Sequence, residues 1–363
     1  MQAPWTYERV WEALTGLRRM RPAKVVLFGT STTIQQLGYS AVLSYILDRH
    51  WSAACEVRGY GGQGISLAGL VRLDGVIEAG PQLVLVDFTT GPIRADFQAS
   101  VDRITTRLAK AGILPVWVAY PTFLPDGSFD EPRSATVAAV GRYCDAVGAP
   151  FIDIFHAYRT RDEQLFRDRV HPTKDGAIEI GRRVWAELDR LGADDGDRAF
   201  DPARLAGAAL TRRAVDPHAD LAFSSVEALG LDEGLERDED GFLVIPEDAV
   251  LEITVAGVVH SADMRIGPYS PILDIRSEDG TAGEVTLWDE WCHFEREMLI
   301  PMTRMASFNP GVGMSFRISF SERRPDYARV RRPFDFSEIR PMVKLKGFHH
   351  QGEFLQARLI RGG

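Results

Sequence analysis

Three cysteines in 363 residues (Cys55, Cys144 and Cys292) are odd in number and far apart, which gives neither a disulfide framework nor a zinc-ligand spacing. No apolar run is long enough to span a bilayer. The first residues, Met1-Gln2-Ala3-Pro4-Trp5-Thr6-Tyr7-Glu8-Arg9, carry acidic, basic and aromatic groups where a secretory leader has an apolar core, so the expected location is cytoplasmic. Positive charge is not in excess: 42 Lys and Arg against 51 Asp and Glu leave a net charge of −9, which argues against nucleic acid or an anionic membrane as partner. Repeats and low-complexity tracts are missing. The glycines of Gly59-Tyr60-Gly61-Gly62-Gln63-Gly64 are followed by neither a dinucleotide fingerprint nor a phosphate-loop Lys-Ser/Thr ending. What is present, 45% hydrophobic and 26% charged residues, is an ordinary globular composition, and the length favours two domains.

The two halves differ in periodicity. Residues 1–192 alternate short apolar runs with amphipathic stretches. Strands are expected at Val25–Phe28, Glu56–Arg58, Leu83–Phe88, Pro115–Tyr120 and Phe151–Phe155. Helices are expected at Trp5–Arg19, Ile34–Asp48, Leu67–Glu78, Arg94–Ala111, Ser134–Val147 and Thr173–Leu191. That alternation implies an α/β domain: a parallel sheet covered on both faces, with its functional loops at the strands' carboxyl ends. Residues 193–215 read as a linker, acidic and Gly-rich at Gly192–Asp197, with a possible helix at Pro202–Arg213. Residues 216–363 show short alternating runs at Phe242–Ile245, Val250–Val258, Ile272–Ile275, Val285–Trp288, Phe316–Phe320 and Met342–Leu345. Their spacing suggests an antiparallel β-sandwich or jelly roll.

Chemistry concentrates in the first half. Asp168-Arg169-Val170-His171-Pro172 places an acid three residues before a histidine, where one loop can orient the imidazole. Ser31 follows the strand ending at Phe28 and opens a helix. A serine there could simply cap the helix, because Ser and Thr are favoured at that position. The same helix start also presents free N–H groups to whatever Ser31 attacks. Serine, base and acid together are what nucleophilic acyl chemistry needs, and such sets are recognised by role rather than by order. Among the other histidines of this half, His50 falls at a helix end. His156 closes a strand and competes with His171 for the base; only His171 reads as having an acid on its own loop. The glycine-rich stretch after the second strand lets backbone approach a ligand and aim an N–H at it.

With those residues in hand, residues 22–192 resemble the SGNH/GDSL hydrolase family. Gly29-Thr30-Ser31 looks like its first block, with Thr30 where Asp is usual. Gly62, in Tyr60-Gly61-Gly62-Gln63, looks like the second block's oxyanion glycine, and Asp168-x-x-His171 matches the last block. The third block, Gly-x-Asn-Asp, should follow Leu83–Phe88, but the chain reads Asp87-Phe88-Thr89-Thr90-Gly91-Pro92 and has no Asn. The resemblance implies a three-layer, flavodoxin-like domain and a Ser31–His171–Asp168 triad working without metal or organic cofactor. It also implies an oxyanion hole built from the Ser31 and Gly62 amides. Losing an amide donor of that kind costs about 3–4 kcal/mol in comparable sites. Thr90 is the expected substitute donor, and Thr89, Gly91 and Tyr120 are expected to contact substrate.

The second half is less legible. Trp288-Asp289-Glu290-Trp291-Cys292-His293-Phe294 could stack on a sugar or could fill a sandwich core. His349-His350 could suggest a metal, but adjacent strand residues point to opposite faces. Domains of this family joined to β-sandwiches often act on acylated carbohydrates. The expectation is therefore a serine esterase acting on O-acyl, probably acetyl, esters of a small molecule or carbohydrate. An acyltransferase using a sugar or other hydroxyl as acceptor, and an impaired scaffold with a binding role, stand as alternatives. Oligomeric state is left open.

Overall fold

In the first half, apolar runs that cannot face water on either side drive the architecture. The computed structural model describes residues 24–191 and 221–361, apart from 60, 62, 92, 94–96, 232–233 and 303–312. The chain divides into two compact units, Met1–Pro217 and His218–Gly363. The helix expected at Trp5–Arg19, the 193–215 linker and its helix lie outside the described residues.

In the first unit, β1 (Lys24–Gly29), β2 (Ala54–Gly59), β3 (Leu83–Asp87), β4 (Leu114–Ala119) and β5 (Phe151–Asp153) form a parallel sheet in the order β2-β1-β3-β4-β5. Every residue of β3 and β4 is buried, while β2 lies at the edge and is partly exposed. The helices are α1 (Ser31–Ile34), α2 (Tyr39–Trp51), α3 (Leu73–Glu78), α4 (Phe97–Lys110), α5 (Glu131–Val147) and α6 (Lys174–Leu191). In α4, Phe97, Val101, Ile104 and Leu108 recur at helical spacing and are buried; in α6, Ala177, Ile180, Val184 and Leu188 do the same. α5 starts where the Asp130 carboxylate accepts the Arg133 N–H, with Pro132 in the first turn, and it ends on Gly148 at φ +74°. The helix expected at Ile34–Asp48 is two helices, because a tight turn closes at Gln35–Gly38 (N–H of Gly38 to O of Gln35, 2.7 Å). The stretch expected as a helix at Leu67–Glu78 is a π-helical turn over Ile65–Gly69 followed by α3. The last strand stops at Asp153, where Phe155–Ala157 turns into one 3₁₀ turn.

Strand order reverses between β1 and β3, so the loops leaving these two strands splay apart and open a crevice at their carboxyl ends. Gly29 is needed there. A Cβ at that position would fall 2.2 Å from Thr33 Oγ1 and 2.3 Å from the Asp87 carbonyl oxygen.

The second unit is one antiparallel eight-stranded sheet: β6 (Ala222–Ser225), β7 (Leu243–Pro246), β8 (Ala249–Ile266), β9 (Ile272–Ser277), β10 (Ala282–Thr286), β11 (Arg296–Pro301), β12 (Met314–Phe320) and β13 (Met342–Arg361). Its spine is the pairing of β8 with β13, running from Lys344↔Arg265 to Arg361↔Ala249. Midway, Gly257 and Gly352 face each other at φ +145° and +90°; a Cβ on either would come within 2.1 Å of the other strand's carbonyl oxygen. The spine changes partners there: β12 pairs with Leu251–Val255, whereas β11 pairs with Ser261–Ile266. Leu251, Ile253 and Val255 from one half share a core with Val259, Met264, Leu345 and Phe348 from the other. A single sheet thus folds over into the sandwich. The run expected to end at Val258 continues to Ile266, and Gly257 is the point where this longer strand bends. Trp288 falls outside β10 and joins the core, while Trp291 and Phe294 are exposed. Among the described residues no helix is long and apolar enough to cross a membrane.

Candidate active site

Ser31 opens α1 immediately after β1, and its hydroxyl lies 3.0 Å from His171 Nε2. The loop before α6 supplies His171, whose Nδ1 donates to Asp168 (2.9 Å to Oδ2, 3.1 Å to Oδ1). With its proton committed to the carboxylate, the ring presents Nε2 as an acceptor to the serine. Asp168 Oδ1 also accepts the backbone N–H groups of Val170 (3.0 Å) and His171 (2.8 Å), so the acid fixes the loop as well as the ring. Partial burial pushes the Asp168 carboxyl up. Hydrogen bonds from the His171 ring and from the His171 and Val170 amides outweigh it and hold the group well below the usual carboxylate range. Three residues separated by 140 positions in sequence are thereby joined in one hydrogen-bonded series.

The expected oxyanion donors stand as follows. The Ser31 N–H donates to no backbone group among the described residues. Gly62 lies outside the described residues. Its neighbour Gly61 is against the nucleophile, since a Cβ there would sit 3.9 Å from Ser31 Cβ. Thr90 is partly exposed, and its hydroxyl is hydrogen-bonded to Thr30 Oγ1 and 3.4 Å from Thr32 Oγ1. Thr89 is buried, and its hydroxyl accepts the Tyr120 N–H (3.0 Å), tying the end of β3 to the end of β4. Tyr120 is buried completely against Tyr39 (ring centroids 5.3 Å apart). Thr89 and Tyr120 therefore present no side-chain surface for the substrate contact expected of them. The family's Asn would be a tight fit at Gly91: a Cβ would lie 3.0 Å from the Gln63 carbonyl oxygen and 3.3 Å from Gly64 Cα, so these neighbours would have to give by a few tenths of an ångström.

Three features escaped the sequence reading. Asp87, the last residue of β3, is completely buried, with Thr32 Oγ1 (3.1 Å), Thr33 Oγ1 (3.2 Å) and Tyr39 Oη (3.2 Å) converging on Oδ2. Its Oδ1 has no hydrogen-bond partner among the described residues. Burial pushes this carboxyl up to about 6, against the pull of the three hydroxyls. Arg133, from the first turn of α5, donates to the carbonyl oxygens of Thr89 and Gly91 (2.9 Å to the latter) and so clamps the loop after β3. The third is a correction: His156 also has an acid on its own loop. Asp153 accepts both its backbone N–H (3.0 Å) and its Nδ1–H (2.6 Å), and His156 Nε2 meets Ser134 Oγ at 2.9 Å. Asp153-x-x-His156 was visible in sequence but was hidden by reading His156 as the end of a strand. Among the described residues no cluster of three or more His, Cys, Asp or Glu side chains is arranged to hold a metal ion.

The sequence profile of the GDSL-like lipase/acylhydrolase family matches residues 27–177. No curated protein sequence matches the chain. Among solved structures, a two-domain esterase (CEX) active on acetylated mannans superposes with a TM-score of 0.67 at 11% identity, over 95% of this chain and 96% of that one. An acetyl xylan esterase aligns at 20% identity and TM-score 0.40 over 45% of this chain and 98% of its own. A GDSL-like lipase from Bacteroides thetaiotaomicron aligns at 16% identity and TM-score 0.39 over 49% of this chain and 99% of its own. At these identities the likeness is one of fold, and the first of the three extends it to both units.

Proposed function

Starting from a GDSL-like lipase/acylhydrolase domain at residues 27–177, we propose that this ester hydrolase removes O-acetyl groups from carbohydrate through a Ser31 acyl-enzyme. The observation that carries the reading is the continuous Ser31–His171–Asp168 series at the carboxyl ends of the strands. The choice of acetylated polysaccharide over other esters follows the architecture shared with the esterase active on acetylated mannans.

In the first step Ser31 Oγ attacks the acetyl carbonyl carbon while His171 Nε2 takes the hydroxyl proton. Asp168 keeps the ring in the productive tautomer and steadies the imidazolium. The negative charge that forms on the carbonyl oxygen falls beside the Ser31 N–H, Gly61 and Thr90. Collapse breaks the bond to the sugar oxygen, which leaves with the proton from His171. Water then attacks the acetyl-Ser31 carbonyl, again giving its proton to His171. Acetate departs and Ser31 Oγ recovers its proton.

Acetate release from acetylated mannan and from a small chromogenic acetyl ester tests the reading. Wild-type protein should release acetate from both and the Ser31→Ala variant from neither. Equal release by a folded Ser31→Ala protein would refute it.

A further inference from the structure

Resting on the esterase reading above, we propose that Asp87 is a positioning residue: through Thr32 and Thr30 it sets the direction in which the Thr90 hydroxyl donates, and so whether Thr90 serves the oxyanion. The loop after β3, Phe88-Thr89-Thr90-Gly91, carries no amide side chain, and the backbone of residues 63–64 comes close to Gly91, where the family motif places one. Thr90 is the member of the local hydroxyl group that reaches solvent; Thr30 and Thr32 are 2% and 0% exposed. The contacts run without a break. Asp87 Oδ2 meets Thr32 Oγ1 at 3.1 Å, Thr32 meets Thr30 at 3.1 Å, and Thr30 is hydrogen-bonded to Thr90.

Each hydroxyl has one proton, so the direction of the chain is decided at its buried end. An ionised Asp87 can only accept. Thr32 then donates inward, Thr30 donates to Thr32, and Thr90 donates to Thr30, leaving no proton for the oxyanion. A neutral Asp87 carries a proton on Oδ2, the oxygen around which the partners gather, and donates it to Thr32. The chain reverses: Thr32 donates to Thr30, Thr30 to Thr90, and Thr90 outward. Among the described residues, the titratable groups facing Asp87 are Tyr39 from α2 and Tyr120 at the end of β4. Burial, then the Asp87 charge, pushes both phenols up, so neither offers a positive charge to hold the carboxylate. The carboxyl of Asp87 is itself raised to about 6 by burial, which puts the reversal in an accessible pH range.

Asp87→Asn tests this, because the amide cannot become the purely accepting anion and carries N–H donors for Thr32, as the neutral acid carries an O–H, at nearly the same volume. The ratio of kcat/KM on a small acetyl ester, Asn variant over wild type, should be near one below pH 5 and rise to about tenfold above pH 7, the worth of one weak oxyanion donor. Thr32→Val keeps the Asp87 carboxyl but removes the hydroxyl that links it to Thr30, so the wild-type decline tied to Asp87 should vanish in that variant. Thr90→Val should bring wild-type and Asn backgrounds to one common rate. Stability gives a readout independent of turnover. The folded-state value of Asp87 lies above its ordinary 3.8, so its contribution is full below that value and is lost as pH rises through about 6. Tm of wild type should therefore fall relative to Asp87→Asn across that window. A kcat/KM ratio independent of pH, with both proteins folded and Ser31→Ala inactive, overturns the relay and leaves the esterase reading standing. Hydrolysis by Ser31→Ala at the wild-type rate overturns both.

Discussion

Two loops of the first unit hold a histidine in the same way, at Asp168-x-x-His171 and at Asp153-x-x-His156. In each, one aspartate accepts the backbone N–H and the Nδ1–H of the histidine three residues on, and Nε2 meets a serine hydroxyl at 3.0 or 2.9 Å. Side-chain geometry does not separate them; the backbone around the two serines does. Ser31 is the first residue of a helix that follows a strand, its N–H donates to no backbone group among the described residues, and Gly61 lies against it. Ser134 is inside α5, where its N–H already donates to the Asp130 carbonyl oxygen at 3.1 Å, and its histidine is packed on Phe129 and Phe155. A nucleophile without donors for the developing oxyanion forgoes the term that is usually largest in acyl transfer. The comparison teaches that a Ser-His-Asp series is necessary for this chemistry and far from sufficient.

The largest effect should come from the serines themselves. Ser31→Ala is expected to cut kcat by about 10⁴-fold or more, as removal of a triad nucleophile does, while Ser134→Ala should stay within about twofold, surface substitutions outside a site being near neutral. Initial rates on a small acetyl ester read both, and an equal loss would erase the distinction drawn above. Next are the acids. Asp168→Asn should lower kcat by up to about 10⁴-fold by releasing the wrong tautomer. Asp153→Asn should instead lower Tm slightly, through the loss of one hydrogen-bonded acceptor worth about 1 kcal/mol, with kcat unchanged. Because Asp168 is held below its ordinary carboxylate range, its orienting role is present above that range and lost only as pH falls through the depressed folded value. An acid limb set by Asp168 near pH 4 in the wild-type rate profile would contradict this. The smallest effect concerns the clamp. Arg133→Lys should slow turnover by about tenfold, because the guanidinium gives Nη1 to the carbonyl oxygens of Thr89 and Gly91 while its Nε donates to Asp130, and a lysine has one nitrogen for both tasks. Unchanged kcat and KM in that variant would remove the 89–91 loop from the account.

Legibility followed the kind of signal each feature leaves. Strand–Ser31–helix and Asp168-x-x-His171 are local patterns in which composition and spacing suffice, and the parallel, helix-covered sheet followed from alternation. Asp87 closes an apolar strand and looks like a strand boundary; only the arrival of Thr32, Thr33 and Tyr39 from the next turns makes it a buried carboxyl. Arg133 was one arginine among many, and its role depends on a loop 42 residues away. In the second unit, the bend at Gly257 and Gly352 left no local signal, because the pairing that makes them face each other joins β8 to β13, far apart in sequence. Trp288 and Trp291 are three residues apart, yet one is in the core and the other exposed, a split that neither aromatic content nor spacing reveals.

The contrast between the two serines is tested most directly by labelling the wild-type protein with a fluorophosphonate and mapping the adduct by mass spectrometry. A serine becomes phosphonylated when a base removes its proton and donors hold the phosphoryl oxygen, the two conditions on which Ser31 and Ser134 differ. The expected result is a single adduct on the peptide containing Ser31, lost in His171→Ala and retained in His156→Ala. An adduct on Ser134, or labelling of Ser31 that persists without His171, would contradict the account.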